Sequence, residues 1–238
     1  MYFCDLTFSS PEENLACDET LLESAERGPG FELLRVWEPM TYFVVVGYSN
    51  RAATEANLPF CKANDIPVLR RCTGGGTVLQ GPGCINYSLI VRISDGPFQS
   101  IPGTNAFILK CHEAAFTALL QKPVELAGET DLAIGGLKIS GNAQRRKKQF
   151  LLFHGTLLLQ LDLSLVEKAL LFPSKQPGYR RSRSHTDFLS NLKIPSSSVK
   201  SALAQCWNAW EPLPKIPQDE ISRLASEKYR KPEWNFRI

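Results

Sequence analysis

Residues 74–76 are three consecutive glycines preceded by two arginines, in the run Arg70-Arg71-Cys72-Thr73-Gly74-Gly75-Gly76-Thr77-Val78. Three successive residues without a Cβ suit neither a helix nor the interior of a packed strand. The chain must therefore change direction here, between the strand-like Pro67 to Arg71 and the apolar strand Asn86 to Ile93. The glycine N–H groups are free to form an anion-binding concavity, and guanidinium groups recognise carboxylate or phosphate in bidentate fashion. The competing reading is a plain glycine-rich connection with two solvated arginines. The spacing fits neither G-x-x-x-x-G-K-[ST] nor G-x-G-x-x-G, which disfavours a nucleotide site nested on a helix N-terminus.

The remaining pattern alternates strand and helix. Ser10 caps a helix with Pro11 at its first position and Glu12 and Glu13 in its first turn, ending near Arg27 before Gly28-Pro29. Leu33 to Trp37 and Phe43 to Gly47 read as a hairpin or adjacent strand pair, and Ala53 to Asn64 as weakly helical. Leu109, His112, Phe116 and Leu119 mark the core face of a helix over Asn105 to Gln121. Phe150 to Leu161 reads as a long strand, and Ser164 with Glu167 as a capping box opening a helix to about Leu171. Pro173 to Ser190 is a long polar loop. A helix bearing Val199, Leu203 and Trp207 follows, then a last one after Pro217. With 43% hydrophobic residues in 238, one domain spanning 1–238 is expected. Its class is α/β of the α+β type, a mixed central sheet flanked by helices.

Two further segments carry polar groups into apolar surroundings. In Asp131 to Ala143, Gly135-Gly136 forms a two-residue hairpin turn, which brings Asp131 and Lys138 together across the ladder. Lys138 lies between Leu137 and Ile139, so its side chain points away from theirs, either to solvent or into a polar cleft where an ammonium could stabilise developing phosphoryl or acyl charge. Ser140, Gly141 and Asn142 are small enough to admit a ligand. In Phe153-His154-Gly155-Thr156-Leu157, His154 and Thr156 break an apolar strand and require partners; a satisfied core histidine serves as well as a site residue. The runs Arg145 to Lys148 and Arg180 to Arg183 are solvated turns or docking points for an acidic surface.

A net charge of +3 gives no whole-protein attraction to nucleic acid or membrane. No apolar run approaches a membrane span, and Met1 to Ser10 mixes polar with apolar residues, so secretion is not expected. Seven cysteines without a C-x-x-C pair argue against a disulfide framework or zinc site. A cytoplasmic protein with reduced thiols is expected.

Taken together, Arg70 to Val78, Asp131 to Ala143 and His154 to Leu158 resemble the three signature segments of the lipoate-protein ligases, a branch of the biotin/lipoate ligase superfamily. Glu13-Asn14-Leu15-Ala16 with Glu19, and Val44 to Gly47 with Asn50, extend the likeness over nearly the whole chain. The resemblance implies ATP- and magnesium-dependent activation of lipoate or octanoate to the acyl-adenylate. It also implies transfer to a lysine of a lipoyl domain of 2-oxo acid dehydrogenase complexes or of the glycine-cleavage H protein. Lys138 would be the catalytic residue. The substrate- and adenylate-binding set it implies is Arg70, Arg71, Thr73, Gly74, Gly75, Gly76, Thr77, Val78, Asn86, Asp131, Ser140, Gly141, Asn142, Ala143, His154, Gly155 and Thr156, with Asp131 also beside a nucleotide-bound Mg2+. Pro232 to Phe236 resembles the hinge into a small accessory domain, so the resemblance implies either a separate accessory protein for adenylation or an enzyme that mainly performs the transfer step. Where the family continues the glycine loop with His-Asp, Leu79-Gln80-Gly81-Pro82-Gly83 stands instead, similar to the loop of octanoyl transferases. An ATP-independent octanoyl or lipoyl transferase, a biotin ligase and a non-catalytic carrier-binding module are the alternatives.

Overall fold

A computed structural model describes residues 1–237; Ile238, the last residue of the expected domain, lies outside them. The strands are β1 (Tyr2–Asp5), β2 (Leu33–Trp37), β3 (Phe43–Val46), β4 (Val68–Arg70), β5 (Val78–Gln80), β6 (Cys84–Arg92), β7 (Glu125–Ala127), β8 (Asp131–Ile134), β9 (Leu137–Arg146), β10 (Phe150–Leu158) and β11 (Glu211–Pro212). The α-helices are α1 (Pro11–Arg27), α2 (Ala52–Glu55), α3 (Leu58–Ala63), α4 (Ile101–Leu120), α5 (Leu163–Ala169), α6 (His185–Phe188), α7 (Ser196–Cys206), α8 (Gln218–Leu224) and α9 (Pro232–Asn235).

The large sheet runs β11-β1-β2-β6-β10-β9-β8-β7, with β1 parallel to both of its neighbours and every other pair antiparallel. A small sheet, β4-β3-β5, packs separately. The expected pairing of Leu33–Trp37 with Phe43–Val46 is therefore corrected. β2 lies between β1 and β6, and β3 lies at the centre of the small sheet. Both strands are buried at every position, so each needs strands on both edges and cover on both faces, which one shared hairpin could not give.

Alternation along β6 separates two cores. Ile85, Tyr87, Leu89 and Val91 pack with Ile108, Leu109 and Phe116 of α4 and Leu203 of α7. On the opposite face, Ile90 joins Leu15, Leu21 and Leu22 of α1 and Ile221 of α8. A third cluster fills the space between the small sheet and α5.

Caps set several boundaries. Ser10 Oγ accepts from Glu13 N, as expected. Helix α4 begins four residues earlier than its periodicity suggests, at Ile101, because Ser100 caps it through Gly103 N. The capping box at Ser164 is not formed: Asp162 Oδ1 accepts from Ser164 N at 2.9 Å and Leu165 N at 3.1 Å. Glu167 instead accepts from His185 N and Thr186 N at the start of α6.

His112 is fully buried, with Tyr87, Phe116 and Trp207 around its ring, and its Nε2 accepts from Trp207 Nε1 at 2.8 Å. Burial drives its pKa down to about 3. The folded protein thus carries neutral imidazole, whereas the unfolded chain takes a proton near pH 6.5. The stabilisation is complete above about pH 6.5 and is lost as pH falls towards 3. At pH 5 the loss should reach about 2 kcal/mol. His112→Gln keeps an acceptor for Trp207 but cannot titrate. Urea unfolding at pH 7 and pH 5 should show a smaller pH penalty in this variant, and equal penalties in the two proteins would contradict the assignment.

Candidate functional site

Strand register assembles one polar patch on the α1-facing side of the large sheet. One row across it contains Trp37, Asn86, Thr156, Gly141 and Asp131; the next contains Arg35, Ser88, His154 and Ala143. Each residue faces its neighbours because directly opposed positions in a ladder share a face.

Lys138 joins this patch through a bulge. Leu132 pairs with Ser140 but Ala133 pairs with Lys138, leaving Ile139 as the extra residue. Ile139 and Ser140 both go into the α4-side core, so Lys138 shares its face with Gly141 and Ala143 instead of Ser140 and Asn142. Lys138 Nζ lies 2.9 Å from Asp131 Oδ1. It crosses Gly141, where a Cβ would stand only 2.7 Å from the ammonium, so glycine opens the path. The Lys138 side chain keeps 22% exposure.

The expectations for Ser140, Asn142 and Gly155 are corrected by the same parity. Asn142 accepts from Tyr87 OH on the α4 side and donates to Thr130 O at 2.7 Å. Gly155 also faces that way, because a Cβ there would meet Asn142 Oδ1 at 1.8 Å. These three residues shape the wall from behind.

The glycine loop crosses the patch at Ala143. The position a Gly75 Cβ would occupy is 3.6 Å from Ala143 Cβ, and Ala143 is two residues, about 7 Å, along the strand from Gly141. Gly75 has φ +85°, a conformation that favours glycine. It also packs so tightly on Gly47 that a Cβ there would lie 2.0 Å from Gly75 O. Gly75 and Gly76 are exposed and Gly74 partly so.

The two arginines do not project into the patch, and the ligand role expected of Arg70 is corrected. Arg70 is fully buried. Its guanidinium donates to the carbonyls of Gly47, Tyr48 and Asn50 and to those of Trp234, Asn235 and Arg237. It ties the C-terminal segment to the loop after β3. Arg71 donates to Thr73 Oγ1 and to the carbonyls of Val45, Gly74 and Gly76. It shapes the loop from within, and burial lowers its pKa to about 10, which leaves it a cation at neutral pH. Val78 opens β5 and packs against the α1-side core. Thr73 Oγ1 lies 2.7 Å from His154 Nε2. Thr77 Oγ1 is buried without a partner. Asn86 and Thr156 share hydrogen bonds with Gln80.

Asp131 does not suit a metal-ligand role: Oδ1 holds Lys138 and Oδ2 accepts from Tyr179 OH at 2.8 Å. The polar 173–190 segment is accordingly packed against the hairpin. Ser190 N donates to Lys138 O, Arg183 donates to Gly136 O, and Arg180 is buried against Phe172 and Phe188. Most of the run at 145–148 is also tied to the scaffold: Arg145 reaches Cys72 O and Glu19, Arg146 reaches Thr104 Oγ1 and Lys147 pairs with Glu23, while Lys148 is exposed. Recesses near the N-terminus and between α4 and α7, the latter of about 780 Å3, contain neither Lys138 nor the glycine loop. Chemistry, not depth, identifies the site.

Residues 10–205 match the family described as lipoyl protein ligase A/B catalytic domain. The chain belongs to this family. Lipoate--protein ligase 1 of Staphylococcus aureus is 28% identical over 96% of this chain and 70% of its own length. Octanoyltransferase LipM of Brevibacillus brevis is also 28% identical, over 96% of this chain and 95% of its own. Among solved structures, a bipartite lipoate protein ligase of Thermoplasma acidophilum, studied with its E2 lipoyl domain, superposes with a TM-score of 0.84 at 22% identity, covering 99% of this chain and 95% of that one. A lipoate-protein ligase A bound with ATP gives 0.77 at 26% identity, covering 99% and 98%.

Within this lipoyl-ligase catalytic domain, sequence reasoning missed Gln80, Tyr179, Asp18 and Arg35 as parts of the patch. Asp18 carried a faint signal, an acidic residue four positions after Asn14 on a helix face that must be buried. Tyr179 carried none, since nothing local ties it to Asp131, 48 residues away. Among the described residues, no helix is long and apolar enough to cross a membrane.

Proposed function

We propose that this lipoyl-ligase catalytic domain joins a lipoyl or octanoyl carboxylate to ATP, forming acyl-adenylate and pyrophosphate, and passes the acyl group to a carrier lysine. The observation that carries this reading is the convergence of Lys138 and the exposed Gly75-Gly76 main chain on one face of β9. The acyl carboxylate attacks the nucleotide's α-phosphorus and pyrophosphate leaves. Lys138 stabilises charge on the phosphoryl and acyl oxygens, and the loop N–H groups hold the anion. The carrier amine then displaces AMP from the acyl carbon. The enzyme contributes position and charge and no nucleophile of its own. The ATP bound to one relative and the lipoyl domain studied with another support nucleotide and carrier as substrates. Among the described residues no group of three or more His, Cys, Asp or Glu side chains could hold a metal ion.

The octanoyltransferases among the relatives favour a second reading, a thioester route needing a thiolate. The cysteines argue against it. Burial pushes up the pKa of every one of the seven thiols, those of Cys72 and Cys84 beside the glycine loop to about 12. None has the depressed pKa of an activated nucleophile. Incubating the protein with apo lipoyl domain, and with or without a candidate accessory protein, should add one lipoyl or octanoyl mass to the carrier only when ATP and the free acid are both present. Transfer from an acyl carrier thioester without ATP, through a thiol-trappable acyl-enzyme, would overturn the ligase reading.

A further inference from the structure

Asp18 of α1 is buried, with Oδ1 on Arg35 at 2.6 Å. Burial opposes its ionisation, yet Arg35 and His154 hold its pKa below the ordinary carboxylate value. Its second oxygen, Oδ2, is buried without a hydrogen-bond partner and faces His154 Nδ1 at 3.7 Å. On the other side of that ring, Nε2 lies 2.7 Å from Thr73 Oγ1, which accepts the Nε–H of Arg71 at 2.9 Å. Arg71 in turn holds the carbonyls of Gly74 and Gly76.

The protons along this chain can be placed by counting. Thr73 is buried, and its hydroxyl has one proton and already accepts one bond. The acceptor within reach of that proton is His154 Nε2. An imidazole that accepts this proton at Nε2 carries its own on Nδ1, the nitrogen that faces the bare Asp18 oxygen. Hydroxyl, imidazole and carboxylate in this order resemble a nucleophile relay. Thr73, however, is 1% exposed, and its oxygen is occupied by Arg71. The chain ends in loop geometry.

We propose that His154 is a positioning residue: as the Nδ1–H tautomer selected by Asp18, it fixes Thr73 and through it the anion-binding form of the glycine loop. The catalytic consequence rests on the ligase reading above; the structural claim does not. The first test uses the wild-type protein at neutral pH. Its imidazole 15N spectrum should show His154 protonated on Nδ1, and protonation on Nε2 would overturn the proposal whatever any variant does.

The second test compares Thr73→Val and His154→Asn, which break the Thr73 bond, with Thr73→Ser and His154→Gln, which retain it. Backbone 15N order parameters at residues 74–77 should drop from about 0.8 to below about 0.6 in the first pair only. In the carrier assay the first pair should raise KM for the acyl acid at least tenfold with little change in kcat. Rigid loops in the first pair, or equal loosening in both, would reject the idea. A wild-type protein that acylates no carrier would refute the ligase reading, while the tautomer and the order parameters would still decide this one.

Discussion

Lys138→Ala should lower the rate of ATP-dependent carrier acylation by about 100- to 1,000-fold while moving the unfolding free energy by no more than about 3 kcal/mol, so that the protein stays folded. The asymmetry follows from where the ammonium sits. Its own side chain reaches water, and the buried Asp131 keeps its bond from Tyr179 when the lysine is gone, which limits the cost of losing the pair. In the proposed reaction, by contrast, it would be the cation beside the point where a carboxylate meets a phosphoryl group. The decrease should appear in kcat for adenylate formation, measured by pyrophosphate release, as well as in the carrier's mass. A folded Lys138→Ala protein working within a few-fold of the wild-type rate would remove the basis of the proposed function.

Arg70→Lys should do the reverse, destabilising the protein by about 4 kcal/mol, a drop in Tm of about 10 °C. The guanidinium satisfies carbonyls from two remote segments, 47–50 and 234–237. An ammonium has three donors and no planar fork, so it leaves buried acceptors without partners. Thermal melts and proteolysis near Trp234 should both report a loosened C-terminal segment. If Arg70→Lys melts like the wild type and alters only KM for the acyl acid, the ligand-binding role implied by the family resemblance is restored and the structural assignment fails.

The contrast between these residues shows what can be read locally. Ser10, Pro11 and the acidic first turn announce α1 because a capping interaction lies within three residues. Gly135-Gly136 announces the β8–β9 hairpin, and with it the Asp131–Lys138 pair, because a tight turn fixes which residues oppose each other. The glycine triplet marks the loop for the same reason, since its conformation is a property of those residues. Arg70 looks from sequence like an exposed partner of Arg71. Its acceptors come from segments about 20 and 165 residues away, and no local rule reaches them.

Local chemistry determined α1, the glycine turns, the family's signature segments and the meeting of Lys138 with Asp131, because each depends on neighbours a few residues along the chain. Tertiary structure decided which side chains share a face. One extra residue at Ile139 turned Ser140 and Asn142 inward and left Gly141 and Ala143 beside Lys138, because a one-residue shift in a ladder of period two reverses every side chain beyond it. It also decided that β2 and β3 enter different sheets, that Tyr179 reaches Asp131, and that a helix carboxylate stands behind His154. Those outcomes depend on how distant segments pack, and packing is a property of the whole chain.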